Sequence, residues 1–187
     1  MRTILFAGHR LDEDDRPMAR FPRIMESAAR GAITDAVTAI LQEYGTASGI
    51  AGGASGADIL FHEVCAQLGV PTRLLLPLAI ERFVAQSVAP AGDEWVRRFH
   101  AIAARVPVVI ASAAVLLGDD GDSSATWIRN NQWLLDRARE QGVEQVTVLA
   151  LWNGERGDDS GGTAHLVKAA RAGGLEVRVI DTRTLGM

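Results

Sequence analysis

The sequence predicts an α/β protein, a three-layer Rossmann-like sandwich around a mainly parallel sheet of about five or six strands. Two observations predict it. Strand-length apolar runs alternate with helix-length amphipathic stretches from Thr3 to Ile180. The runs are also close to continuously apolar, the pattern of strands buried on both faces.

In chain order, residues 3–7 form an apolar run that ends at Gly8 and predicts the first strand. A loop rich in Asp and Arg leads to Phe21-Pro22. Ala29, Ala32, Ile33, Ala36, Val37, Ile40 and Leu41 then fall at helical spacing. Residues 48–51 are a short strand, and the next helix starts at Ala57. Its stripe is Leu60, Phe61, Val64, Cys65 and Leu68, which leaves His62, Glu63 and Gln67 outside. Residues 72–76 make a third strand closed by Pro77, followed by helices over 80–88 and 93–104. The apolar run 106–117 reads best as a buried strand, with a short helix as the alternative. Residues 118–124 read as a flexible connection into a helix over 126–141. A buried strand over 146–152, a glycine-rich loop, a helix over 163–172 capped by Gly173 and a strand over 175–180 complete the chain.

Composition narrows the function. At 187 residues, 48% hydrophobic and 22% charged, the chain suits one domain spanning 1–187. A net charge of −4 with dispersed basic residues leaves no footprint for nucleic acid. The run 106–117 is too short to span a bilayer, so no membrane partner is expected. Met1-Arg2 runs straight into the first strand, which leaves no room for a signal peptide. The lone Cys65 reads as core filler and excludes a disulfide framework, which fits a reducing cytoplasm. The four histidines lack metal-ligand spacing, and Asp119-Asp120-Gly121-Asp122 lacks the downstream glutamate of a calcium loop. Neither a Gly-x-Ser-x-Gly elbow nor a Walker lysine occurs, and no cofactor is expected.

The most informative segment is Ala51-Gly52-Gly53-Ala54-Ser55-Gly56-Ala57-Asp58. A glycine-rich turn opening a helix exposes backbone N–H groups at the positive end of the helix dipole, a seat for phosphate. Ser55 followed three residues later by Asp58 matches a capping box. Gly52 and Gly53 would let the backbone approach a ligand where a Cβ would obstruct it. The competing reading is a tight strand-to-helix turn with no ligand.

In a doubly wound sheet the loops after the strands share one edge, and three features converge there. These are Gly8-His9-Arg10, the glycine turn, and Trp152-Asn153-Gly154 running through Gly161-Gly162-Thr163 into a helix. Arg10 either pairs with phosphate or neutralises Asp12, Asp14 and Asp15. His9 either donates to a ligand or holds the strand end. Asn130 and Asn131, beside the stripe Trp127, Leu134, Leu135 and Ala138, bond local backbone or a ligand. Glu63 is a solvated helix residue, a ribose contact or a general base.

Phe6-Ala7-Gly8-His9-Arg10, Arg20-Phe21-Pro22, Gly52 to Asp58 with His62-Glu63, and Gly161-Gly162-Thr163 together resemble the SLOG superfamily. That group includes the cytokinin-activating LOG proteins and the DNA-processing protein A proteins. The likeness is strongest to bacterial domains found alone or fused to tetratricopeptide repeats and signalling modules. It implies a nucleotide or nucleotide-sugar-like small molecule, a signalling nucleotide among them, bound between the two glycine loops. The residues it implicates are Gly8, His9, Arg10, Gly52, Gly53, Ala54, Ser55, Gly56, Ala57, Asp58, Trp152, Gly161, Gly162 and Thr163. The LOG enzymes hydrolyse an N-glycosidic bond with a glutamate three residues after their Gly-Thr. Here that position is Leu166, which leaves Glu63 and Asp58 as catalytic candidates. Related folds often pair through helices, which leaves a homodimer open.

Overall fold

The structure is a computed structural model that describes residues 1–13, 16–112, 123–140, 142–155 and 161–185. Its strands are β1 (Arg2–Gly8), β2 (Ala47–Ala51), β3 (Thr72–Leu76), β4 (Val108–Ile110), β5 (Val146–Leu151) and β6 (Glu176–Ile180). The helices between them are α1 (Glu26–Tyr44), α2 (Ala57–Gln67), α3 (Ile80–Ser87), α4 (Asp93–Ala103), α5 (Ser123–Arg139) and α6 (Thr163–Ala172). The strands form one six-stranded sheet in the order β4-β3-β2-β1-β5-β6. Every pairing is parallel.

Alternate residues of a strand face opposite sides of a sheet, and β1 feeds two cores in this way. Ile4 and Phe6 enter an apolar cluster with α1, α2 and α4, while Leu5 enters a second with α5 and α6. This is the three-layer sandwich the alternating pattern predicts. Phe6 and Phe61 stack with ring centroids 4.5 Å apart, tying β1 to α2. Cys65 lies in this core, and burial pushes its thiol up to about 12.

Two expectations need correction. Within the run 106–117, the described strand is only Val108–Ile110, and it is an edge strand with Ile110 exposed rather than a buried one. Residues 113–117, with the connection 118–122 and its acidic loop, lie outside the described residues. His62 also belongs inside α2's buried surface rather than outside it. Its Nδ1 lies 2.9 Å from the Thr72 hydroxyl and its Nε2 lies 3.0 Å from the Gly52 carbonyl. Its two polar partners satisfy the ring inside the core, where the stripe puts a residue facing outward.

The order of strands places the site. The chain steps outward from β1 to β4, then returns to lay β5 against the other side of β1. Gly8 and Leu151 are register partners at the carboxyl ends of that pair. A crevice opens where strand order reverses, because the loops leaving the two strands diverge to opposite faces.

Candidate functional site

A cavity of about 380 Å³ occupies this crevice. Gly8, His9 and Arg10 line it from the end of β1, and Gly52, Ala54 and Asp58 from the first glycine loop. Trp152, Gly161, Gly162 and Thr163 line it from the β5 side, so all three loops reach one cavity. Gly53, Ser55, Gly56 and Ala57 are not among its lining residues, and neither is Glu63.

The first loop differs from an open phosphate seat. Three of its N–H groups are already engaged: Ala54 donates to Asp58 Oδ2 (3.3 Å), Ser55 to the Ser87 carbonyl (2.9 Å) and Ala57 to the His9 carbonyl (3.2 Å). The capping box does not form either. Gly56 is the N-cap, and Asp58 reaches back to Ala54 instead of Ser55.

The glycines of the loop serve the protein's own packing. A Cβ on Gly53 would lie 2.8 Å from Leu74 Cδ1 and Phe99 Cε2, and one on Gly52 would lie 2.8 Å from Asp58 Oδ2. Gly56 has φ +101°, and a Cβ there would come within 2.6 Å of the Leu11 nitrogen, where the chain bridges back to Arg10. Each of these close approaches is to the protein's own chain.

Asp58 is the titratable group this arrangement leaves against the cavity. Withdrawal from water pushes its carboxyl up to about 7, against the opposing pull of the N–H groups of Ala54 and Gly8. Glu63 is turned elsewhere. It meets Arg98 in a two-pronged pair (2.8 Å to each oxygen) and Arg30 at 2.5 Å. Burial would raise its pKa, but the two guanidinium groups win and hold it below the usual range. The structure places Glu63 in this ion-pair cluster, off the cavity wall.

His9 is buried, with Nε2 3.1 Å from Asn153 Oδ1 and 3.2 Å from the Asn153 N–H. It ties β1 to β5, and burial lowers its pKa despite the Asn153 contact. Arg10 is exposed at the cavity's mouth, its Nη1 3.4 Å from the Gln86 carbonyl. Asp12 instead meets Arg16 (3.4 Å) and the N–H groups of Arg20 and Phe21 (2.7 Å each). Asp14 and Asp15 lie outside the described residues.

The two asparagines of α5 divide the work. Asn131 Nδ2 donates to the carbonyls of Gly161 (2.7 Å) and Gly162 (3.4 Å), strapping the second loop to α5. Asn130 lines the cavity too, yet its buried Oδ1 has no hydrogen-bond partner among the described residues. The second loop caps α6 through Gly162, whose carbonyl takes the N–H groups of His165 (3.0 Å) and Leu166 (3.3 Å). The N–H groups ahead of those intrahelical bonds belong to Thr163 and Ala164, both on the cavity wall. Residues 156–160 of this loop lie outside the described residues.

Sequence reasoning passed over Arg20, which lines the cavity, and the end of α3, where Gln86 and Ser87 close one wall. The pairing of Ser87 with Ser55 left no mark in the sequence. The Arg20-Phe21-Pro22 string was visible, but only as part of a resemblance. Leu166 lines the cavity as a buried apolar residue, so no carboxylate stands at that position. Among the described residues there is no cluster suited to a metal ion and no helix long and apolar enough to cross a membrane. No protein-family model matches the chain, and no curated protein matches it.

Proposed function

We propose that this chain is a SLOG-type domain that binds a nucleotide or nucleotide-derived small molecule, a signalling nucleotide within that class. The observation that carries the reading is one cavity of about 380 Å³ at the point where strand order reverses, walled by the loops after β1, β2 and β5. Its volume falls in the small-molecule range, and its wall mixes apolar surface with a few polar groups. The anionic end of the ligand sits at Gly162 to Ala164, where the α6 dipole and N–H groups favour negative charge. Arg10 and Arg20 add positive charge at the wall. Trp127 and Trp152 offer flat apolar surface to a base.

Native purification followed by mass spectrometry of released small molecules tests this directly, together with thermal shift against AMP, ADP-ribose and cyclic dinucleotides. A co-purified nucleotide, or a rise of several degrees with one member of the panel, is the expected outcome. No co-purified ligand and no shift with any of them overturns the reading.

A second reading, hydrolysis of a nucleotide's N-glycosidic bond, is favoured by one observation. Asp58 holds its carboxyl near 7 against the cavity, the range in which an acid or base works at neutral pH. Under this reading, prolonged incubation with AMP releases free adenine, and Asp58→Asn abolishes release while retaining binding. A wild-type protein that binds AMP and yields no adenine overturns it.

A further inference from the structure

The first glycine loop has a helix N-terminus, a tight turn and small residues, yet three of its N–H donors are spent within the protein. Ala54 donates to Asp58, Ser55 to Ser87 and Ala57 to His9. Asp58 also accepts from the Gly8 N–H, so one carboxyl bridges the ends of β1 and β2 where a bound anion would do so. Gly52 completes the fit, since any Cβ there would press on Oδ2. We propose that the Asp58 carboxyl is the ligand-selecting group of the cavity. It fills the anion seat of the first loop, so a ligand carries its charged group to the Gly162–Ala164 end and meets Asp58 with an uncharged hydrogen-bonding group. The proposal rests on the nucleotide reading and narrows it to ligands with an anionic group at one end only.

The physical reason is charge. Asp58 titrates near 7, and once ionised it repels a second phosphate; when neutral it donates a hydrogen bond while still occupying the N–H groups of Ala54 and Gly8. The other charged or titratable groups around it are His9, Arg10 and Arg20 on the β1 side and His62 on its own helix. His165 stands behind the second loop, bonded to Asn131. Among the lining residues, α3 and α5 contribute only uncharged side chains.

Calorimetric titration with AMP and with adenosine 3′,5′-bisphosphate, which is anionic at both ends, tests the assignment. At pH 8 wild type binds AMP at least tenfold more tightly than the bisphosphate, and Asp58→Asn narrows that ratio at least threefold. In wild type the ratio also narrows between pH 8 and pH 6, and in Asp58→Asn it narrows less, by the part that phosphate ionisation and the histidines contribute to both proteins. Any part of the profile due to His9, His62 or His165 survives in the variant and is subtracted with it. Should Asp58→Asn fail to fold, Asp58→Ser serves the same comparison. AMP binding with equal ratios in both proteins overturns the Asp58 assignment alone. Absence of binding by both probes to folded wild type overturns the assignment, and the nucleotide reading falls as well when ADP-ribose and cyclic dinucleotides also fail to bind.

Discussion

Gly56 and Asp58, two residues apart, show how much one position can be asked to do. Gly56 takes φ +101°, and a Cβ built on it would lie 2.6 Å from the Leu11 nitrogen. Gly56→Ala therefore combines a left-handed backbone with a clash against main chain that cannot swing away. It should cost about 2–4 kcal/mol in denaturant unfolding, on the order of other changes that strain special backbone sites. A loss below 0.5 kcal/mol would show that the bridge to Arg10 is dispensable. The glycines were legible as a turn, but not what they approach. Sequence spacing shows that a Cβ is absent, and the same absence serves a ligand or a neighbouring chain. Asp58 was misread for a related reason. Its spacing from Ser55 satisfies a capping box, yet Ser55 spends its N–H on Ser87, thirty-two positions away and invisible to local pattern.

At the scale of elements, α1, α2 and α4 are joined by a charged cluster rather than by apolar contact alone. Glu63 on α2 takes both prongs of Arg98 from α4, and Arg30 of α1 joins it, while Arg98 also reaches Glu26 (2.8 Å). Glu63→Gln should therefore lower stability by about 1–3 kcal/mol, the range for hydrogen bonds to charged groups in a partly buried setting. AMP affinity should be unchanged, because Glu63 is off the cavity wall. A loss of binding with intact stability would put Glu63 back among the functional residues. Across the sheet, Asn131 straps the second loop to α5. Asn131→Leu should weaken AMP binding at least tenfold, by releasing the Gly161 and Gly162 carbonyls, while circular dichroism remains native. Unaltered affinity would mean the loop holds its shape without the strap.

Most elements were legible because strands buried on both faces leave uninterrupted apolar runs, and 72–76 matches β3 residue for residue. The sheet's edge was less legible. Val108–Ile110 is covered only in part, so burial does not mark where the strand stops within the longer apolar run. His62 was misplaced because a polar side chain on a helix reads as solvated unless its partners, here Thr72 and Gly52, are known.

For the molecule as a whole, α2 carries two buried groups whose effects on stability run in opposite directions with pH. His62 is pushed down to about 4 by burial, partly opposed by nearby carbonyls. The unfolded chain therefore binds its proton first, and the stability present above pH 6.5 is lost as pH falls toward 4. Asp58 is pushed up to about 7, so the folded chain keeps its proton longer. The stability this group permits is full below its unfolded value and is lost as pH rises through 7. The move from 6.5 to about 4 at His62 amounts to roughly 3 kcal/mol, and the move from 3.8 to about 7 at Asp58 to roughly 4 kcal/mol. Between pH 4 and 6.5 the two slopes nearly cancel, and their sum hides both. Asp58→Asn removes one slope and exposes the other. Its stability relative to wild type should rise with pH by up to about 4 kcal/mol between pH 4 and 8. Wild type and variant curves that stay parallel over that interval would mean Asp58 is ionised throughout. The carboxyl would then be an ordinary salt-tolerant surface acid, and the turn around it would have to be held by something other than a neutral acid seated on the ends of β1 and β2.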